Sequence, residues 1–503
     1  MSGLITLSNL IDTSVFQPNN YQIPVISSAN ISKCCKDLQY AIMTKSIIFI
    51  YGDYDVDGLM SMLVWGSVLK SVGHTDFVLY NYSKRTHNIQ QDIITQAIQA
   101  KAKYVLICDT GSNSADKYIL RTLKTLNMET IVIDHHACDY PYTDLTMETD
   151  VYNSYEESYL LNGDKVSGAY ACLLLANTLC SNYLNTLLPS DAKYFALASM
   201  YSDVVDMSSK TAIALYNNIM FQKAQPPALL RAINKYNYKI GRRFFQYIFS
   251  PMLNTCFRDG WFNYLNDLIV YDNKYYMYDI LEKIKLVHSK ARELVKQLYN
   301  QLDKITYGAI TLCRYDADKS QFLYDYSVYT GYLANMVADE IGGAVVCLIQ
   351  TKDGYKGSLR DPLGRDFLKS FKSFSDSNGH PSAFGIRIPS SKIDLFLKSL
   401  EVVGEIFNTK IKPRFLTIPS DYIQTQDDID TLALYNEFMN TKSPAYIKCI
   451  CNKVILNRKS YFNKFYNIGL PVPIRSTRTL VTGSIILIEP CICSDTELRE
   501  VVL

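Results

Sequence analysis

Three short apolar runs in the first third of the chain each pass directly into acidic residues, and this pattern restricts the fold more than any other feature. Ile47-Ile48-Phe49-Ile50-Tyr51 leads into Gly52-Asp53-Tyr54-Asp55-Val56-Asp57-Gly58. Tyr104-Val105-Leu106-Ile107-Cys108 leads into Asp109-Thr110-Gly111, and Ile131-Val132-Ile133 leads into Asp134-His135-His136. A fourth run, Phe77-Val78-Leu79-Tyr80, lies between the first two. Runs this short and apolar read as buried strands. Helical patterns between them, such as residues 60–72 before Gly73, imply a parallel sheet with right-handed crossovers. Such sheets collect ligands outside the carboxyl ends of their strands, where this sequence has its acids and histidines.

The rest of the 503 residues extends that α/β reading. A chain this long exceeds one compact core and predicts several domains. Residues 191–247 read as helical. Ile280, Ile284, Val287, Ala291, Leu294, Leu298, Leu302 and Ile305 describe one long helix with a narrow apolar stripe, a connector between domains or a core helix of one larger domain. A second α/β unit follows, with strands near 308–313, 344–350 and 355–360 and a helix near 329–340. The last ninety residues read as mostly β and irregular, punctuated by Pro471 and Pro473. The expected division is 1–275, a connector at 276–306, a smaller α/β unit at 307–408, and a C-terminal region at 409–503.

Composition excludes some classes. With 48% apolar and 20% charged residues, wholesale disorder is ruled out. No run approaches the ~20 apolar residues of a membrane span, and the first residues lack a basic segment before an apolar one. Thirteen cysteines, an odd number, fit reduced thiols better than a disulfide framework. The expectation is a soluble cytoplasmic protein, in the host cytoplasm if the bias of 39 tyrosines to two tryptophans reflects a viral, AT-rich genome. A net charge of +2 neither selects nor rejects nucleic acid, because a phosphate groove needs local charge only.

The chemistry concentrates in four segments. Asp53, Asp55 and Asp57 alternate and can project to one side of an extended turn, which is costly without a neutralising cation. Asp109 and the Asp134-His135-His136 triplet stand at two further strand ends. Asp203 follows an apolar helix in Tyr201-Ser202-Asp203-Val204-Val205-Asp206. Carboxylates with one or two imidazoles suit Mn²⁺ or Mg²⁺ better than a thiolate-bound zinc. Two such ions about 3.5–4 Å apart can activate water against a phosphodiester. The alternative is a solvated acidic turn and a surface histidine pair. Four segments together, three at successive strand ends, favour the metal reading.

These residues resemble the DHH phosphoesterase superfamily, and within it the RecJ-like single-stranded-DNA exonucleases with their DHHA1 domain. Asp134-His135-His136 is the naming triplet, and the first acidic motif has the RecJ form. Val166-Ser167-Gly168, the stretch from Pro251 through Asn254 to Arg258, Ser358-Leu359-Arg360, and Gly379-His380-Pro381-Ser382-Ala383-Phe384-Gly385 follow in family order. The resemblance, over roughly residues 30–405, implies a parallel-sheet catalytic domain, a connector helix and a substrate-binding domain. It implies that Asp55, Asp57, Asp109, His135 and Asp203 hold two divalent cations, with Asp109 between them. It implies that Asp53 stands nearby and that His136 contacts the phosphate or assists the leaving oxygen. Arg258, Arg360 and His380 would grip phosphates, with Arg85, Ser167, Gly168, Asn254, Ser358 and Gly379 also lining the substrate path. Thr110, Asp206, Thr255, Cys256, Phe257, Asn378 and Phe384 depart from the family pattern without removing a metal ligand.

Residues 441–480 add eight lysines or arginines, no acid, and Tyr446, Tyr461, Phe462, Phe465 and Tyr466. Basic groups for a backbone and aromatic faces for bases suit single-strand binding. The alternative is a β domain with core aromatics and solvated lysines. Cys449, Cys451, Cys491 and Cys493 read as strand cysteines or, less readily, as a zinc site. The function expected is a metal-dependent exonuclease on single-stranded DNA, or RNA, acting from the 5′ end. The alternatives are a phosphodiesterase for short oligonucleotides or cyclic dinucleotides, and a non-catalytic nucleic-acid-binding relative.

Overall fold

In a computed structural model of the chain, the described residues are 22–81, 89–234, 240–259, 274–316, 326–362, 364–407, 416–419, 423, 425–439, 445–450, 455–458, 464–467, 470, 474–476, 485–489 and 498–501. Strands β1 (Ile48–Gly52), β2 (Phe77–Asn81), β3 (Tyr104–Cys108), β4 (Glu129–Asp134) and β5 (Asp150–Asn153) form one sheet in the order β2-β1-β3-β4-β5. All its pairings are parallel. Ile48 and Ile50 of β1 enter one apolar core and Phe49 and Tyr51 another, so the strand is an unbroken apolar run because both faces are covered. β5 gave no sequence signal, since it is four residues long and opens on Asp150.

Helices cover both faces. Helices α1 (Ala29–Met43), α2 (Val56–Ser71), α6 (Gly168–Leu179) and α7 (Ser190–Ser202) build the larger core. Helices α3 (Asp92–Gln99), α4 (Lys117–Thr125) and α5 (Tyr142–Glu148) cover the other face. The pattern from residue 60 predicted a later start and a one-sided helix for α2. It begins four residues earlier, because the Asp55 carboxylate caps it by accepting from the Gly58 N–H at 3.0 Å. It is also buried almost all round, Trp65 included, because α6 and α7 pack on it opposite the sheet.

The long helix is present as Lys274–Tyr299, and it serves two cores. Ile280, Leu281 and Ile284 pack in the first, and Ala291, Val295 and Leu298 in the second. It ends sooner than its stripe predicted. Leu302 lies beyond it, and Ile305 belongs to strand Asp303–Tyr307, 47% exposed, in a hairpin with Ile310–Tyr315 closed by residues 308–309. Apolar residues at a helical step continue by chance into a β-hairpin there. That hairpin opens a six-stranded sheet with Ala344–Thr351, Gly354–Arg360, Asp376–His380 and Ala383–Pro389, mixed in direction. Helices Thr330–Ile341 and Ile393–Ile406 cover its two faces. The C-terminal region contains a seven-stranded sheet. It also contains a helix, Gln426–Met439, that the sequence reading missed. Every cysteine whose side chain is described is a free thiol. Among the described residues, no helix is long and apolar enough to cross a membrane.

Candidate metal centre

The strand order makes a crevice before any side chain is considered. The chain runs outward from β1 to β2 and then returns past β1 to β3, so the loops leaving β1 and β3 diverge at this switch point. Register then aligns the acids. Gly52 pairs with Cys108 and Cys108 with Ile133, so the next residues, Asp53, Asp109 and Asp134, stand in one row across the carboxyl edge. Asp53 and Asp109 are 1% exposed and Asp134 is 0% exposed. A row of buried carboxylates needs compensation: two unit charges 4 Å apart repel by roughly 4 kcal/mol at an effective dielectric of 20.

Asp134 finds its compensation within the protein. It accepts from the backbone N–H groups of Ser112 (3.1 Å), His135 (2.7 Å) and His136 (3.2 Å), and from His136 Nδ1 (2.8 Å). Burial alone would raise its pKa, but His136 and these donors hold it well below the usual carboxylate range. For His136 burial works the other way, and the Asp134 carboxylate prevails and lifts the imidazole to about 10. The first residue of the triplet is thus a fully bonded anchor. It leaves His136, 45% exposed in its side chain, proton-loaded at the mouth of the crevice.

Asp109 has no such relief. Its Oδ1 is buried and receives no hydrogen bond. Burial first, then Asp57, Asp55, Asp53 and Asp134, push its pKa well above the ordinary value. His135 Nε2 stands 3.1 Å from Asp109 Oδ1 and 3.7 Å from Asp57 Oδ2. His135 Nδ1 lies 2.8 Å from the Val166 carbonyl, which can only accept, so Nδ1 carries the proton. In the neutral ring the Nε2 lone pair then faces carboxylate oxygens, an arrangement that a cation between them satisfies.

Asp57 is held from the opposite side by the start of α6. The N–H groups of Gly168 and Ala169 each donate to it at 2.8 Å, and Ser199 Oγ lies 2.5 Å from its Oδ1. A carboxylate on a helix N-terminus is favourable. Burial still raises its pKa, His135 opposes the rise, and Asp203 adds to it. Gly168 is required here by space: a Cβ on it would stand 2.3 Å from Asp109 Oδ1. Asp203, at the end of α7, lies 3.9 Å from His135 Nδ1. Two turns at the site sit in the left-handed region, Asp109 itself at φ +66° and Val204 at φ +54°. The second is a costly conformation for a β-branched residue, and strain of this kind gathers at functional sites.

The ligand atoms fall into three groups, each within a 4.8 Å span: Asp53, Asp55 and Asp109; Asp57, His135 and Asp203; and Asp109, His135 and His136. The first two share no residue, and the Asp109–His135 contact joins them. Hard oxygen donors, one buried oxygen that receives no hydrogen bond, and an imidazole nitrogen 3.1 Å from it fit a divalent cation of the Mn²⁺ or Mg²⁺ type.

The remaining candidates divide. Ser167 caps α6, with its Oγ 2.5 Å from Ser199 Oγ. Asn254 lies on helix Ser250–Asp259, whose Phe257 carbonyl accepts from the Tyr54 hydroxyl, so this helix touches the first acidic loop. The turn Tyr326–Tyr329 packs on the same helix and leads into Thr330–Ile341. There Thr330 Oγ1 lies 3.0 Å from Ser358 Oγ, and Arg360 Nη2 lies 2.7 Å from where a Cβ on Gly331 would stand. A guanidinium, hydroxyls and a helix N-terminus are the kinds of group that can bind an anion. Gly379 has φ +137° in the strand Asp376–His380, next but one to Gly354–Arg360 in the sheet. Arg85, Cys451, Cys491 and Cys493 lie outside the described residues, as do the side chains of Arg258, His380, Cys449 and the basic and aromatic residues of 441–480. Sequence reasoning missed Ser199, Ser112 and Asn153, the last of which donates to Ser112 Oγ at 2.7 Å and to the His136 carbonyl at 2.9 Å, and it named Val166 without a role for its carbonyl. Only Ser199 carried a signal, standing four residues before Asp203 on one helix face.

Comparison with known proteins agrees with this geometry. Residues 47–160 match the DHH family, N-terminal domain. The single-stranded-DNA-specific exonuclease RecJ of Escherichia coli (strain K12) is 21% identical over 428 residues, 78% of this chain and 72% of its own length. The crystal structure of RecJ from Thermus thermophilus in complex with Mn²⁺ superposes with a TM-score of 0.70 at 14% identity, covering 97% of this chain and 73% of that one. The Mg²⁺ complex from the same organism gives 0.64 at 14% identity, covering 99% and 73%. At these identities the superpositions establish a shared fold.

Proposed function

From the premise that this is a DHH-family chain with a RecJ-like fold, we propose that it is a metal-dependent nuclease that hydrolyses single-stranded DNA from its 5′ end. The observation that carries the reading is the pair of ligand groups joined through Asp109 and His135 at the sheet's switch point. In this reading Asp55, Asp57, Asp109, His135 and Asp203 would hold two divalent cations, with Asp53 alongside. Bound there, Mn²⁺ or Mg²⁺ supplies Lewis acidity and lowers the pKa of water.

The chain's own groups do the rest. Asp134 fixes His136 through Nδ1, so Nε2–H is the group that can donate to a phosphate oxygen or protonate the leaving oxygen. The cradle of Ser358, Arg360 and the start of Thr330–Ile341 binds a phosphate of the strand, with Arg85, Ser167, Gly168, Asn254, Arg258, Gly379 and His380 along its path. The basic and aromatic tract at 441–480 holds the strand farther on. Reduced thiols fit work in the cytoplasm, and degradation of single strands fits DNA repair and recombination.

The test is a digestion series on 5′- and 3′-labelled DNA and RNA strands, with dinucleotides alongside, in Mn²⁺. The reading predicts mononucleotides released first from the 5′ end of long DNA. Preferential hydrolysis of dinucleotides would favour a small-nucleotide phosphodiesterase, and preferential hydrolysis of RNA would reassign the substrate.

A further inference from the structure

The C-terminal region inserts a buried carboxylate into the half of the molecule that carries the metal centre. Helix Gln426–Met439 buries Ile429, Leu432, Ala433 and Phe438, and Phe438 meets the Tyr216 ring edge-on at 5.0 Å. Beside them Glu437 is only 7% exposed. It accepts from the Tyr201 hydroxyl at 2.5 Å and from the backbone N–H of Arg242, while Arg242 Nη1 donates to the Asn436 carbonyl at 3.2 Å. An apolar docking helix does not need a carboxylate at this place. Burying one is expensive unless donors meet it, and here they do.

What Tyr201 adjoins gives the contact its meaning. It stands two residues before Asp203, in the last turn of α7. That turn is closed by the Asp203 N–H to the Ser199 carbonyl (2.8 Å) and the Val205 N–H to the Met200 carbonyl (3.0 Å), around the strained Val204. Ser199, in the same turn, holds Asp57. We propose that Glu437 is a positioning residue for the metal centre: through Tyr201 it holds the turn that presents Asp203, so the C-terminal region sets cation affinity at the Asp57–His135–Asp203 group. This rests on the metal reading proposed above.

The test uses the full chain in four forms: wild type, Glu437→Ala, Glu437→Gln and Tyr201→Phe. Two readouts separate the claims: amide hydrogen exchange in EDTA, which needs no metal, and calorimetric titration with Mn²⁺. Glu437→Ala should speed exchange at Asp203 and Val205 and weaken the affected Mn²⁺ site by about tenfold or more, the scale of losses when a ligand's support is removed. Glu437→Gln keeps an acceptor oxygen and should stay within about threefold of wild type. Tyr201→Phe, which removes a single hydroxyl, should move both readouts in the direction of Glu437→Ala, and it decides the matter if that variant does not fold. Unchanged exchange at Asp203 and Val205 with unchanged Mn²⁺ affinity in Tyr201→Phe and in a folded Glu437→Ala would overturn the coupling. If the wild type takes up no Mn²⁺, the metal reading falls instead, and the exchange rates alone decide whether Glu437 holds the turn.

Discussion

The two α/β halves put opposite chemistry at their open edges. At the carboxyl edge of the parallel sheet, Asp57, Asp109 and Asp203 converge on His135, Asp53 and Asp55 gather at Asp109, and the buried Asp109 Oδ1 receives no hydrogen bond. At the mixed sheet, Arg360 and Ser358 meet the start of helix Thr330–Ile341. In the proposed reading one edge takes cations and the other an anion. A phosphodiester strand held by the second would present its phosphorus to the first, and the helix Lys274–Tyr299, anchored in both cores, fixes their spacing. The difference teaches that binding and hydrolysis can fail separately.

The sharpest way to break the comparison is to disable one edge alone. Asp109→Ala should cut hydrolysis by about a thousandfold or more while single-strand affinity stays within about threefold. Retained activity, measured on a labelled strand, would remove Asp109 from the centre. Gly168→Ala tests the same edge by steric means: its Cβ would displace the Asp109 carboxylate, and a shift of about 1 Å at a reacting centre can cost about a hundredfold. On the other edge, Arg360→Ala should raise KM by about tenfold with Mn²⁺ affinity unchanged, and Arg360→Lys should recover little because the planar fork is lost. A fall in Mn²⁺ affinity would show that the two edges are not independent.

Smaller effects sharpen the account. Removing residues 441–503 leaves helix Gln426–Met439 in place, so it should weaken binding of long strands and flatten its salt dependence while cleavage of short ones changes little. Asp116 offers a control, a buried acid in the same half that belongs to none of the ligand groups. Burial lifts it to about 7 against the donation from the Ile89 N–H, and its Oδ2 receives no hydrogen bond. Its folded pKa is raised, so the folded state binds the proton more tightly, and stability should decline as pH rises from about 4 through about 7. Asp116→Asn should flatten that decline in urea titrations and be the more stable form at pH 8, by a few kcal/mol at most.

Much of this was legible in the sequence because strand ends in a parallel sheet are both a pattern and a place. Short apolar runs ending in Asp53, Asp109 and Asp134 gave the strands, and the sheet then aligned the acids. Other features were hidden for physical reasons. β5 is too short and polar to register as a strand, and Ile305 extends a helical stripe by coincidence into a hairpin. The start of α2 follows from a cap, Asp55, that also reads as part of an acidic motif. The division of labour in the triplet could not be read at all. Asp134 is an anchor because backbone donors surround it, whereas the buried Oδ1 of Asp109 receives no hydrogen bond and stands among its neighbours' charges. Glu437 was silent for the same reason: its partners are more than 190 residues away in the chain.

The central claim is that the acids and the imidazole at the β1/β3 switch point cage divalent cations, and anomalous scattering from a crystal soaked in Mn²⁺ tests it most directly. The account predicts two peaks about 3.5–4 Å apart, one against Asp57, His135 and Asp203 and the other against Asp55, with Asp109 touching both. Absence of density among these residues, with Mn²⁺ bound elsewhere or nowhere, would contradict it.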